Sequence, residues 1–416
     1  MHLSYILNHL GENRDKYFGA VSPPIIQSSN FAYERLDDFR QAFASEFDAH
    51  LYTRGNNPTV KILREKLAAL EGTEEALVCA SGSGAIAAAV MSQVSQGDHV
   101  VCVNAPYSWT KILLTTYLPR FGVSTTFVDG TSIEEIAAAI QGNTRVLYLE
   151  SPNSLTFECQ DLATCAELAK KHGLTSIIDN SYASPIFQQP HKLGIDLVVH
   201  SGTKYLNGHS DVVVGCICGS RAKIEQIFQQ EYMTLGPIIS PSDAALVIRG
   251  LRTLELRMQK SDSNGMTIAQ RLEAHPKVKQ VLHPFLPSFP QRELAQKQMS
   301  GAGGLFSAHF AASTPESMEA FTHTLLDSKR FSMAVSWGGH ESLALPTVAF
   351  YGIPGRDDSP IPWTMVRFYI GLEDVEWLWE GLEEDWEEFN LRNKSDDENP
   401  LLKKKKKSRR GRKKKT

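Results

Sequence analysis

Between residues 76 and 220 the chain alternates short apolar, β-branched runs with stretches whose apolar residues recur at helical spacing. Ala76 to Ala80 precedes a helical stretch at Ala85 to Val94, His99 to Val103 precedes Trp109 to Leu118, and Val146 to Leu149 precedes Leu162 to Lys171. Thr175 to Ile178, Ile195 to Val199 and Val212 to Cys218 complete the set. Runs this short, bounded by Gly, Ser and Asn, predict buried strands, and their alternation with helices predicts an α/β fold with a large, mainly parallel sheet. Ligands gather at the carboxyl ends of such strands. Ser81, Tyr107, Glu150, Asp179 and Ser201 stand at those ends.

The flanks follow other patterns. Residues 1–56 hold no long periodic segment but carry Pro23-Pro24 and the aromatics Phe31, Tyr33, Phe39, Phe43 and Phe47. They predict an N-terminal arm that buries its aromatics against a neighbouring subunit. The turn-rich stretch Leu51 to Thr59 presents Tyr52 and Arg54, then gives way to a helix marked by Val60, Leu63, Leu67 and Leu70. Residues 57–245 form the large domain on this reading. Beyond about residue 245, a long helix led by Arg249 to Leu254, a link through Pro284, Pro287 and Pro290, and sparser strands predict a smaller α+β C-terminal domain over 246–392. It closes near Asn390, after an acidic amphipathic helix.

Length and composition narrow the class. A chain of 416 residues exceeds one ordinary core, in keeping with two domains plus extensions. No apolar run approaches the roughly 18 residues of a membrane span, and the N-terminus lacks the pattern of a secretory signal. The six cysteines lie inside apolar patterns without CxxC pairing, as expected of buried, reduced thiols in a cytoplasmic protein. Cys216 and Cys218, two apart on a strand, face one side and are expected to pack rather than bind metal. The net charge of −4 conceals an asymmetry: eleven of the 43 Lys and Arg fall between Lys403 and Lys415, leaving 32 against 47 acidic residues. Residues 393–416, acidic then polybasic, are predicted to be a disordered, solvated tail. Clustered cations bind phosphates, so a nucleic-acid-binding protein is the non-enzymatic alternative. The tail has no interleaved aromatics and no fold motif to support it.

Lys204 stands between two apolar strands in the polar segment His200 to Asp211. Most lysines are solvated surface charges, but one set against apolar walls loses solvation, drops in pKa and becomes able to form a Schiff base. Ala80 to Ala87 reads as strand, glycine turn and helix start, where free N–H groups and the helix dipole hold a phosphate. Gly82 to Ala87 formally matches the dinucleotide fingerprint G-x-G-x-x-A, but the next strand ends at Val103-Asn104-Ala105 without the acidic residue that reading wants. Asp179 ends an apolar strand; it could cap a helix, pair with an arginine or face a protonated pyridine nitrogen. Phosphate cradle, pyridinium partner and Schiff-base lysine are the three requirements of pyridoxal phosphate.

The chain from about Gly19 to Phe389 resembles the trans-sulfuration (Cys/Met metabolism) family of pyridoxal-phosphate enzymes, most closely bacterial cystathionine β-lyase. The resemblance rests on Tyr52-Thr53-Arg54, Ser81-Gly82-Ser83, Asp179-Asn180, Ser201 to Tyr205, Gly208 to Asp211, Arg249 to Leu254 and Ser336 to Leu343, in that order. It implies fold type I. It also implies that Lys204 carries the cofactor and moves the Cα proton, that Asp179 holds the ring nitrogen charged, and that Tyr107 stacks on the ring. Gly82, Ser83, Ser201 and Thr203 bind the phosphate on this analogy, with Tyr52 and Arg54 reaching in from a neighbouring subunit of a homotetramer. Arg367 and Ser336 grip the substrate carboxylate. Ser83 departs from the methionine usual in relatives, which a backbone contact tolerates. Trp337 stands where γ-synthases and γ-lyases usually carry leucine, so β-elimination of cystathionine to homocysteine, pyruvate and ammonia is expected. The alternatives on the same scaffold are cystathionine γ-synthase, γ-lyase or O-acylhomoserine sulfhydrylase chemistry.

Overall fold

A computed structural model describes residues 1–354, 359–384 and 386. The predicted tail at 393–416 lies outside the described residues, as does the close of the last helix near Asn390.

The large sheet runs β1 (Glu75–Cys79), β2 (His99–Val103), β3 (Ser124–Val128), β4 (Thr144–Glu150), β5 (Thr175–Asp179), β6 (Leu197–His200) and β7 (Gly215–Gly219), in spatial order β1-β7-β6-β5-β4-β2-β3. From β6 through β3 every pairing is parallel, whereas β7 lies antiparallel to both β6 and β1. The expected mainly parallel α/β sheet is present. Alternation sorts its side chains onto two faces. Ala76, Val78, Val101, Leu147, Ile178, Val198 and Cys216 enter one core cluster, and Leu77, Cys79, Cys102, Tyr148, Ile177, Val199 and Ile217 enter another. All six cysteines are free and buried, as their apolar settings predict.

Helices α1 (Leu3–Asn8) and α2 (Leu36–Ala44) give the N-terminal segment more local structure than its sequence suggested. Next comes α3 (Pro58–Glu71), opened by Asn57 accepting from Thr59 N at 2.9 Å and by Pro58 in the first turn, and closed by Gly72 at φ 73°. The buried Lys66 ammonium of α3 ties this arm down through Glu12 at 3.1 Å and the Ile6 carbonyl at 2.9 Å. Phe47 is buried against Phe228, while Phe39 and Phe43 stay exposed along with Phe18, Val21 and Tyr52. Following β1, α4 (Gly82–Met91) starts three residues earlier than the apolar spacing implied, because Ser81 caps it through Gly84 N.

The expected helix at Trp109 to Leu118 is broken up. Helix α5 (Ser108–Ile112) loosens into a π-type turn over Leu113–Tyr117 and a tight turn over Leu118–Phe121. Pro119 supplies no N–H and crowds the preceding turn, which accounts for the loosening. The expected strand at Val212 begins only at Gly215, since Thr203 ties up Val214 and Val213 faces solvent.

A second sheet, in order β10-β11-β12-β9-β8, comprises β8 (Val278–Leu282), β9 (Leu305–Phe310), β10 (Ser332–Met333), β11 (Leu343–Pro346) and β12 (Met365–Tyr369). Its pairings are antiparallel except β10 with β11. The helices Leu254–Ala274 and Pro315–Asp327 cover it through Ile268, Leu272, Met318 and Leu325. Trp337, Leu343 and Tyr369 from this part share a buried cluster with Val198 of β6 and with Val214, which precedes β7.

Candidate active site

The β6–β7 loop coils into helical turns, with Asn207 N bonding Gly202 O at 2.9 Å and Gly208 N bonding Lys204 O at 2.8 Å. Lys204 therefore projects from a rigid turn at the carboxyl edge of β6. Its Nζ donates to Ser336 Oγ at 2.6 Å and lies 5.7 Å from the centre of the Trp337 ring. Gly338, at φ 86°, makes this approach feasible: a Cβ there would stand 2.8 Å from Tyr205 N and 2.9 Å from the Lys204 carbonyl carbon. Burial pushes the Lys204 amine down to about 8, the Arg367 guanidinium adds to that, and Asp179 opposes it.

Arg367 projects from β12 beside this amine. It is 8 % exposed and donates to the Ser154 and Ser336 carbonyls at 3.3 and 3.2 Å. Among the described residues no carboxylate forms an ion pair with it, and burial brings its pKa down to about 10. A desolvated cation held only by carbonyls is an anion site in waiting.

At the start of α4 the N–H groups of Gly82 and Ser83 have no acceptor among the described residues. Gly82 faces Ser201 so closely that a Cβ would lie 2.8 Å from the Ser201 Cβ. Ser201 N donates to Ser181 Oγ at 2.7 Å, and Ser181 Oγ donates to Asp179 Oδ1 at 2.5 Å. Ser181, which sequence reasoning passed over, thus ties the end of β5 to the lysine loop. The Thr203 hydroxyl and N–H both engage Val214, so that hydroxyl is already committed.

Asp179 is buried at the end of β5, in register with Glu150 at the end of β4. Burial pushes the Asp179 carboxyl upward against its two Ser181 bonds, with His200 and Lys204 pulling the other way. His200, ending β6, bonds the Glu71 carboxylate of α3; although desolvation opposes it, that carboxylate raises the imidazole to about 9. Tyr107, preceding α5, is half exposed and donates its N–H to Glu150 Oε2 at 2.7 Å. Glu150 carries the same sequence signal as Asp179, an acid closing an apolar run.

Lys204, Ser336, Trp337, Arg367, Asp179 and Ser201 are thereby drawn together. Tyr52 and Arg54 form a separate feature. The Arg54 guanidinium sits 5.4 Å over the exposed Tyr52 ring, and both line a cavity of about 260 Å³ with Gln27, Ser29, Ile238 and Pro241.

The sequence pattern of the Cys/Met metabolism PLP-dependent enzymes matches residues 5–387. The chain belongs to that family. It is 39 % identical over 376 residues to the L-methionine gamma-lyase of Treponema denticola, spanning 88 % of this chain and 92 % of that one. The chloroplastic cystathionine gamma-synthase 1 of Arabidopsis thaliana is 35 % identical over 379 residues, 88 % of this chain and 66 % of its own length. The crystal structure of metB from Corynebacterium glutamicum superposes with a TM-score of 0.84 at 34 % identity, covering 92 % and 97 % of the two chains. The fold is accordingly that of the fold type I pyridoxal-phosphate enzymes, and the cofactor of the family is pyridoxal phosphate.

The residues present fit that group. Free N–H groups at α4 and the side-chain-free cradle of Gly82 suit a phosphate, a desolvated amine suits an aldehyde, and a buried carboxylate with no arginine or lysine salt bridge among the described residues suits a pyridinium. Asp179 and Lys204 stand near enough to shift each other's protonation.

Proposed function

We propose that the protein is a carbon–sulfur lyase that removes the thiol from Cβ of cystathionine, yielding homocysteine, pyruvate and ammonia. The observation that carries this reading is the pairing of Lys204 Nζ with Ser336 Oγ over the Trp337 ring, beside the buried Arg367, which has no carboxylate partner among the described residues. Arg367 binds the substrate α-carboxylate. This fixes Cα over the lysine loop. Bound pyridoxal phosphate supplies an aldehyde for the amines and a ring that accepts the electron pair left at Cα. Lys204 takes the Cα proton; with its amine lowered to about 8, about a tenth is unprotonated at neutral pH, against well under a thousandth for an ordinary lysine. Ser336 receives the Nζ hydrogen bond and keeps the amine aimed. Asp179 holds the proton of the ring nitrogen, which keeps the ring electron-poor. Gly82, Ser83 and Ser201 receive the phosphate, Tyr107 covers the ring, and Trp337 shortens the space left for the distal end of the substrate.

A second copy of the chain supplies Tyr52 and Arg54 on this reading, which is supported by their exposure and by the bare aromatic face of the arm. Homotetramers built from such dimers are the corresponding assembly.

A second reading is γ-elimination from L-methionine to methanethiol, 2-oxobutyrate and ammonia, favoured by the 39 % identity to the Treponema denticola enzyme. Product analysis separates the two. Incubation with cystathionine should give pyruvate and homocysteine; 2-oxobutyrate as the main keto acid, from cystathionine or from methionine, would overturn the β-elimination reading.

A further inference from the structure

Glu150 is a buried carboxylate, 6 % exposed, with no ion-pair partner among the described residues. It ends β4 directly beside Asp179, which ends β5 and is equally buried. Neighbouring strands lie about 5 Å apart, so two carboxylates sit side by side in a desolvated pocket where they cannot both ionise freely. Glu150 accepts from Tyr107 N at 2.7 Å. The other titratable groups facing it are the Tyr148 phenol and the Cys102 thiol, both buried; His200 and Lys204 face Asp179.

We propose that Glu150 is a positioning residue of the cofactor site that stays protonated in the ligand-free chain and yields its proton when a cationic ring nitrogen docks on Asp179. The inference rests on the reading of Asp179 as partner of that nitrogen. Burial and the Asp179 charge push the Glu150 carboxyl up to about 8, in keeping with a neutral acid at physiological pH. The Glu150 O–H bond breaks, its electron pair stays on the carboxylate, and the proton passes to solvent. Throughout, the Glu150 oxygen keeps the Tyr107 backbone in place, since protonated and ionised forms both accept from N–H.

The test is the dissociation constant of pyridoxal phosphate, followed by the visible band of the holoenzyme from about pH 6 to about pH 9, in the unaltered protein and in Glu150→Gln. Glutamine keeps an acceptor for Tyr107 but cannot ionise. Lys204 and the cofactor titrate in both proteins, so the ratio of the two constants isolates the Glu150–Asp179 pair. That ratio should change about tenfold per pH unit below about pH 8, the unaltered protein weakening as pH falls, and then level off. A ratio that stays flat across the range would overturn the proposal while leaving the assigned role of Asp179 standing. Glu150→Ala should weaken binding by about tenfold or more even at low pH, where glutamine does not. Should the variants fold poorly, the infrared difference spectrum of the unaltered chain with and without cofactor serves instead. Loss of a protonated-carboxyl carbonyl band on loading supports the proposal, and its absence sinks it. Failure of the unaltered chain to form any visible band would overturn both the proposal and the reading beneath it.

Discussion

Replacing Arg367 with methionine should cripple catalysis while leaving the ligand-free protein as stable as before, or slightly more so. The guanidinium is 8 % exposed, and burial lowers its pKa to about 10. At about 1.4 kcal/mol per pH unit, keeping that charge in the fold costs about 3 kcal/mol. Because the folded pKa lies below the unfolded one, this penalty is fully present at every pH below about 10 and fades only as pH rises further. Methionine fills much of the same volume but forfeits the bonds to the Ser154 and Ser336 carbonyls, at about 1 kcal/mol each. The net is a gain of about 1 kcal/mol, or about 1–2 °C in Tm for a chain of this size. Activity moves the other way. Losing a desolvated, charge-assisted grip on the α-carboxylate should lower kcat/KM by about a hundred- to thousandfold, the equivalent of about 3–4 kcal/mol. An α-carboxamide substrate analogue should react with both proteins at similar rates. Calorimetry of the cofactor-free protein and kinetics on the acid and amide substrates read the two effects separately. A fall in Tm of several degrees, or equal losses on acid and amide, would show that Arg367 is a structural residue.

Trp337→Leu should raise the proportion of 2-oxobutyrate formed from cystathionine at the expense of pyruvate, and should cost about 1–2 kcal/mol of stability through the cavity left beside Tyr205; an unchanged product ratio would remove the ring from the specificity argument. In the cofactor-free protein, acylation of Lys204 by an amine-selective reagent should accelerate as pH rises through about 8 and then level off, whereas an ordinary lysine keeps accelerating past pH 9; peptide mapping of the labelled site reads the profile. Mixing Lys204→Ala subunits with Arg54→Ala subunits should restore part of the activity lost in each, since a hybrid dimer assembles one intact site, and mixtures as inactive as their parents would refute the sharing of Tyr52 and Arg54 between chains.

Much of the architecture was legible because it obeys short-range rules. Continuous apolar runs such as Val146 to Leu149 and Thr175 to Ile178 fit a sheet buried on both faces, and Asn57-Pro58 with Gly72 bounds α3 by cap chemistry alone. Boundaries failed where tertiary contacts overrode local preference. The Val212 run lost three residues from its strand to Thr203, and Pro119 broke a helix whose apolar spacing looked unbroken. Glu150 carried the same local signal as Asp179, yet only the register of β4 against β5 gave it a neighbour and a meaning.

By itself the chain determined its fold class, the glycine turn that opens α4, its lysine and the acid at the end of β5, since each depends on residues within a few positions of one another. Tertiary structure alone decided which distant groups would meet. Ser336 and Arg367, separated from Lys204 by more than a hundred positions, reach its amine because Gly338 lets one loop press against another and β12 aims a guanidinium inward. Desolvation, which sets the protonation of that lysine and of the Glu150–Asp179 pair, is a property of the assembled interior and has no counterpart along the chain.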